Sequence, residues 1–151
     1  MDVKRLFNFK DGAQKNGVNL ATVLEAVPKT VIGAVIDGGG IALATGAKSA
    51  YVSVPFNCTI VKWRLLADVA GAAVVDIWKD TYANYPPVNA DSMTASAKPT
   101  ISATNPKAES TSVSTWAGGT AQMSEGDILE FEIESCATIT RLRCELWIVP
   151  R

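Results

Sequence analysis

The stretch ILEFEIESCATITRLRCELWIV, residues 128–149, decides how the chain is read. In its first part Leu129, Phe131 and Ile133 alternate with Glu130, Glu132 and Glu134. In its second, Leu142, Cys144, Leu146 and Ile148 alternate with Arg141, Arg143 and Glu145. A period of two sends successive side chains to opposite faces of a strand, so each part reads as a strand with one buried and one wet face. Folding the chain back between Cys136 and Ala137 sets Glu132 opposite Arg141 and Glu130 opposite Arg143. That register predicts an antiparallel hairpin with complementary charge on its solvent side and Cys144 pointing into the core as a small hydrophobe.

The same period recurs upstream. Residues 50–54 alternate around Tyr51 and Ser53. Residues 59–67 place Thr59, Val61, Trp63, Leu65 and Ala67 on one face, with Lys62 and Arg64 on the other. Residues 73–80 set Val75 and Ile77 against Asp76 and Trp78, and Gly, Pro, Asn and Ser separate these runs as turn residues do. Residues 81–116 are rich in Ala, Ser, Thr, Asn and Pro, the composition of a crossover loop or functional surface. Within them Tyr82, Tyr85, Pro86, Pro87 and Pro99 suit a stiff extended strap, with Ile101, Val113 and Trp116 as anchors. Short strands, one long excursion and two closing strands predict an all-β, antiparallel, jelly-roll-like sandwich.

The leading segment has a different pattern. Leu20, Val23, Leu24 and Val27 fall at i, i+3, i+4 and i+7, with Asn19 as an N-cap and Pro28 as a terminator, which predicts one short amphipathic helix. A helix of that length needs a surface to lie on. Ahead of it, Leu6, Phe7 and Phe9 stand among Lys4 and Arg5, and aromatic residues so placed suit a docking arm that fills pockets on a partner. The composition changes at Gly38-Gly39-Gly40, so residues 1–40 are expected to form an N-terminal docking arm and residues 41–151 the sandwich domain.

Composition removes whole classes of function. The 151 residues carry 14 Lys and Arg against 15 Asp and Glu, without the basic excess of a phosphate-backbone binder, so no nucleic-acid partner is expected. Histidine is absent, and with it the usual general base and commonest metal ligand. The 3 cysteines, Cys58, Cys136 and Cys144, match no zinc spacing and no disulfide framework. Neither a secretory leader nor an apolar run of membrane-spanning length is evident, so synthesis in the cytoplasm without membrane insertion is expected. No cofactor, metal or catalytic residue is implied. Asp76 and Asp80 share one strand face, but nothing in the pattern makes them converge as a hydrolytic pair would.

The run AVVDIWKDTYANYPP, residues 73–87, followed by Asp91-Ser92-Met93 and Ala97-Lys98-Pro99, resembles a β-sandwich module of tail-fibre, head-decoration and other minor structural proteins of tailed bacteriophages. Residues 53–60 resemble the early strand pair of that module. Trp116, Gly126-Asp127 and residues 137–141 resemble its closing elements, so the likeness covers about residues 41–151. It implies a non-enzymatic virion component on the particle surface, a capsid decoration or head-fibre protein. Such a protein would be a homotrimer whose arms hold the major capsid protein or another virion protein, each arm weak alone and strong together. The alternative is a tail-fibre or receptor-binding accessory that recognises host-surface glycan. Its candidate exposed ligand surface is Trp78, Tyr82 and Tyr85, because aromatic faces stack on sugar rings.

Overall fold

The computed structural model describes residues 14–15, 18–19, 28–95 and 97–151. Residues Gln14–Lys15 (β1) and Val18–Asn19 (β2) pair as a small antiparallel ribbon. The sandwich is built from Thr30–Asp37 (β3), Val52–Ser53 (β4), Cys58–Ala67 (β5), Ala73–Asp80 (β6), Thr100–Ile101 (β7), Lys107–Ser110 (β8), Gln122–Met123 (β9), Ile128–Cys136 (β10) and Arg141–Pro150 (β11). One sheet runs β3-β11-β5-β8, with β9 added beside β5, and the other runs β4-β10-β6-β7. All pairings are antiparallel.

The pairing is nested. The first sandwich strand pairs with the last, β4 with β10, β5 with β8 and β6 with β7. This is the jelly-roll winding, and the expected all-β sandwich is present. The alternation behind that expectation holds on the inner faces. Leu129, Phe131 and Ile133 of β10 and Leu142, Cys144, Leu146 and Ile148 of β11 are all buried, in one core with Ile60, Trp63, Leu65, Val75 and Ile77. The excursion is anchored as its sequence suggested, since Ile101, Val113 and Trp116 are buried and the Trp116 Nε1 donates to the Ala97 carbonyl oxygen at 2.9 Å.

Four expectations are corrected. First, β10 and β11 do not form a hairpin. Residues 137–140 carry the chain from one sheet to the other, β10 lying between β4 and β6 and β11 between β3 and β5. The glutamates and arginines that looked complementary are on opposite outer faces. Second, in β5 the register with β11 skips Val61, so Cys58 and Ile60 join Trp63 and Leu65 in the core and Thr59 does not. Such a bulge resets the alternation of the strand. Third, the division at residue 40 falls inside the domain, because β3 makes eight consecutive pairs with β11, from Asp37 with Arg141 to Thr30 with Ile148. The glycines at 38–40 form the turn that leaves β3, with Gly39 and Gly40 at positive φ. Fourth, Trp78 is buried, as described below. The expected helix at Leu20, Val23, Leu24 and Val27, and the arm residues Lys4, Arg5, Leu6, Phe7 and Phe9, lie outside the described residues. Among the described residues no helix is long and apolar enough to cross a membrane.

At Gly33 the backbone of β11 leaves no room for a side chain. A Cβ there would overlap the carbonyl oxygen of Cys144, a backbone atom held by the ladder. The substitution Gly33→Val should therefore unseat β3 and destabilise the domain by about 3 kcal/mol or more, the scale of severe core lesions. Urea denaturation of the two proteins measures this, and an unchanged midpoint would contradict the close approach.

Candidate functional site

The residues that combine chemistry with exposure lie over the outer face of the β4-β10-β6-β7 sheet. Its central side chains come from β6 (Asp76, Trp78) and β10 (Glu130, Glu132, Glu134), with Glu130 directly opposite Trp78 and Glu132 opposite Asp76. This face was expected to be wet, yet Glu130 is only 3% exposed and Asp76 1%. Two segments with little hydrophobic signal cover it. Residues 46–49 run along β10, bonded through Gly46 N to Ile133 O, Ile133 N to Ala47 O and Ser49 N to Phe131 O. Residues 81–99 run along β6, where Met93 N donates to Ile77 O and Val75 N to Pro99 O.

Asp76 fastens the second segment. Its Oδ1 accepts from the hydroxyls of Ser92 and Thr94, each at 2.6 Å, and from the Ile77 N–H at 2.8 Å. Lys98 Nζ sits 3.2 Å from its Oδ2 and also reaches Glu134 at 2.6 Å. Burial alone would push the Asp76 carboxyl up. The donors from Ser92, Thr94 and Lys98 together outweigh burial and hold it below its ordinary value. Glu132 has no such set of donors, so burial, with the nearby Asp76 and Glu134 charges, raises its carboxyl. Two further aspartates brace the strap locally. Asp80 Oδ1 accepts from Thr81 N and Asn84 Nδ2, and Asp91 Oδ2 accepts from Val88 N.

Lys48 closes the middle of the face. Its Nζ lies 4.3 Å from the centre of the Trp78 ring and 3.5 Å from Glu130 Oε2. Trp78 is 6% exposed and its indole N–H makes no hydrogen bond, so it is a covered platform, not part of an exposed ligand surface. The physical reason is that the Lys48 segment pairs along β10 and lays an ammonium over the ring.

The other two expected surface aromatics are where a ligand can reach them. Tyr82 is 80% exposed and Tyr85 is half exposed. Tyr85 packs edge-on against Tyr51, ring centres 4.8 Å apart, and Tyr82 begins the short turn Tyr82–Asn84 that leads into Tyr85. The Tyr85 hydroxyl, followed by burial and the Glu130 charge, raises the Tyr51 phenol above its ordinary value. Tyr51 was read in the sequence as part of a strand and not as part of the ligand surface. It is far from the strap in the chain, and only the pairing of β4 with β10 brings it there. A short-range pattern carries no such signal.

Among the described residues no group of three or more His, Cys, Asp or Glu is arranged to hold a metal ion. Cys58 and Cys144 are buried, and burial pushes the Cys144 thiol up to about 12. The exposed part of the site offers aromatic rings and phenolic hydroxyls. No protein-family model matches the chain, and no curated protein is significantly similar to it.

Replacing Asp76 by Ala leaves the Ser92 and Thr94 hydroxyls and the Ile77 N–H without their acceptor and Lys98 with Glu134 alone, and should cost about 1–3 kcal/mol. The milder Asp76→Asn isolates the charge. Because the carboxyl is held below its unfolded value, its contribution is complete above the ordinary carboxylate range and disappears as pH falls through the folded-state value. The stability gap between wild type and Asp76→Asn, measured by urea denaturation along a pH series, should be widest near neutrality and shrink in acid. A gap independent of pH would contradict the network.

Proposed function

We propose that this protein is a non-enzymatic structural component of a bacteriophage particle, a capsid decoration or head-fibre protein that displays the jelly roll and is held by the segment preceding it. The observation that carries this reading is the way the chain is partitioned. The nested ladder opens at Thr30 and closes at Pro150, so the first and last strands complete the domain between them. The basic and aromatic residues Lys4, Arg5, Leu6, Phe7 and Phe9 precede it in the chain, and in this reading they are the docking residues. The winding supports the reading, since jelly rolls recur in viral capsid and lectin domains. So does the likeness of residues 73–87 to phage modules. The docking segment is shorter than the composition suggested, because β3 belongs to the domain.

A protein lacking residues 1–17 should fold with the melting profile of the full chain and fail to co-sediment with particles. Copy number should match that of the capsid subunits. A truncated protein that still decorates particles, or a few copies confined to the tail, would overturn the assignment.

The tyrosine surface favours a second reading, in which the displayed domain binds host-surface glycan. Exposed tyrosines offer a flat ring and a hydroxyl at low entropic cost, which suits stacking on a sugar and bonding its hydroxyls. Tyr82→Ala with Tyr85→Ala should weaken binding to cell-surface polysaccharide by roughly tenfold, as loss of about 1.4 kcal/mol implies. Unaltered binding in a glycan-array or adsorption assay would rule this surface out.

A further inference from the structure

The sheet edges in this molecule are not guarded alike. An unpaired edge exposes a row of backbone donors and acceptors, and soluble proteins blunt it by shortness, charge, proline or a bulge. Strands β4 and β7 are two residues each, and β8 is four residues carrying Lys107 and Glu109. Strand β3 has none of these devices. Its eight residues TVIGAVID contain no proline or lysine, its register with β11 has no bulge, and its only charge, Asp37, is at the end. Among the described residues, no backbone group outside the β11 ladder bonds to the backbone of β3; the Gly39 N–H donates to the Asp37 side chain at its end. Its outward side chains Val31 and Val35 are 39% and 43% exposed.

The edge is also complementary to itself. Two copies of β3 laid antiparallel about a two-fold axis through Gly33 face residues of equal parity, so outward side chains meet outward ones. Val31 then stands opposite the partner copy's Val35, and Thr30 and Ile32 opposite its Ile36 and Ala34. Glycine faces glycine at the axis, where no side chain intervenes. Just beyond the strand, exposed Lys29 comes opposite the partner copy's Asp37, and the symmetry repeats that ion pair at the other end. A shift that sets Val31 against Asp37 loses both ion pairs.

We propose that β3 is a homodimer interface, through which two copies join their larger sheets edge to edge into one continuous sheet. The occupant is a second copy, because the apolar centre and the opposite charges at the two ends are matched by the strand's own sequence. The symmetry is two-fold, in place of the trimer that the likeness to displayed virion modules implies. The inference goes beyond the attachment role and is read on purified protein, so its failure leaves that role untouched.

The test is sedimentation equilibrium of the full chain over a range of concentration, with hydrogen exchange of the 30–37 peptide alongside. Wild type should pass from monomer to dimer, and protection of the peptide should rise with concentration. Val31→Glu/Val35→Glu places like charges opposite each other twice and should weaken association by roughly tenfold. Val31→Lys/Val35→Glu places opposite charges in the same two contacts and should restore it. Both variants alter exposed positions and should melt as wild type does. A monomer at every concentration, a trimer, or equal behaviour of the two variants would overturn the proposal. So would protection of 30–37 that does not depend on concentration, because the chain's own leader would then cover the edge.

Discussion

The pairing of β3 with β11 is the contact on which the rest of the molecule depends. It joins the two ends of the domain, residues 30–37 with 141–148, and it leaves β11 with a ladder on each side. A central strand so held can present Leu142, Cys144, Leu146 and Ile148 as an unbroken apolar row. That row is one wall of the core, and the inner residues of β10 are the other. The closure spans more than a hundred residues of chain, so its entropic cost must be met by contacts that form together. Nested winding therefore makes the domain cooperative. Each inner pair shortens the loop that the next outer pair has to close, and β3 with β11 is the outermost pair. Such long-range pairing is also slow to form.

The second organising constraint is charge placed under cover. Asp76 is more buried than many of the hydrophobic residues, and in that environment an ionised carboxylate is tolerated only because three protein donors and Lys98 surround it. The Ser92 and Thr94 hydroxyls and Lys98 come from the strap, so the strap cannot leave without stripping the charge of all but the Ile77 N–H. Glu130 is held less fully. Lys48 approaches its Oε2 at 3.5 Å and no hydrogen bond completes the contact, while the same ammonium lies over Trp78. The tyrosine surface is thus built on two fastenings of unequal strength. Tyr82 and Tyr85 follow the strap held at Asp76, and Tyr51 follows the segment that carries Lys48. The edge contact between Tyr51 and Tyr85 is where the two segments meet.

Which faces are apolar was legible in the sequence; which strands are neighbours was not. The bounds of β6 and the inner residues of β10 and β11 follow from alternation alone. Alternation reports the face of a strand and says nothing of what lies beside it, so the charge match between residues 130–132 and 141–143 looked like a register when it was two separate outer faces. The same limit explains Glu130, Asp76 and Trp78. Each stands at an outward position, and each is buried by a segment whose Gly, Ala, Ser, Thr and Pro content marks it as loop. Side chains cannot reveal such a cover when it is attached mainly through backbone groups. The boundary at residues 38–40 misled for a related reason: three glycines mark a turn, and a turn inside a domain has the composition of a linker.

The larger sheet shows how the outer charges are disposed once the register is known. Lys62 and Arg64 of β5 both reach Glu109 of β8, at 3.0 and 2.8 Å, and both lie over the ring of Trp147. Arg143 pairs with Glu145 on its own strand at 2.6 Å. These half-exposed pairs contribute little stability singly. Their consequence is steric and electrostatic: charged side chains crowd the face between β11 and β8, so that side of the sheet is occupied by its own network. Toward β3 the network ends, and Val31, Gly33 and Val35 stand beside it without charge of their own. The sheet thus passes from a charged, self-satisfied flank to an uncharged one with an open backbone edge. That asymmetry follows from where nested winding leaves its first strand, at the rim beside the last.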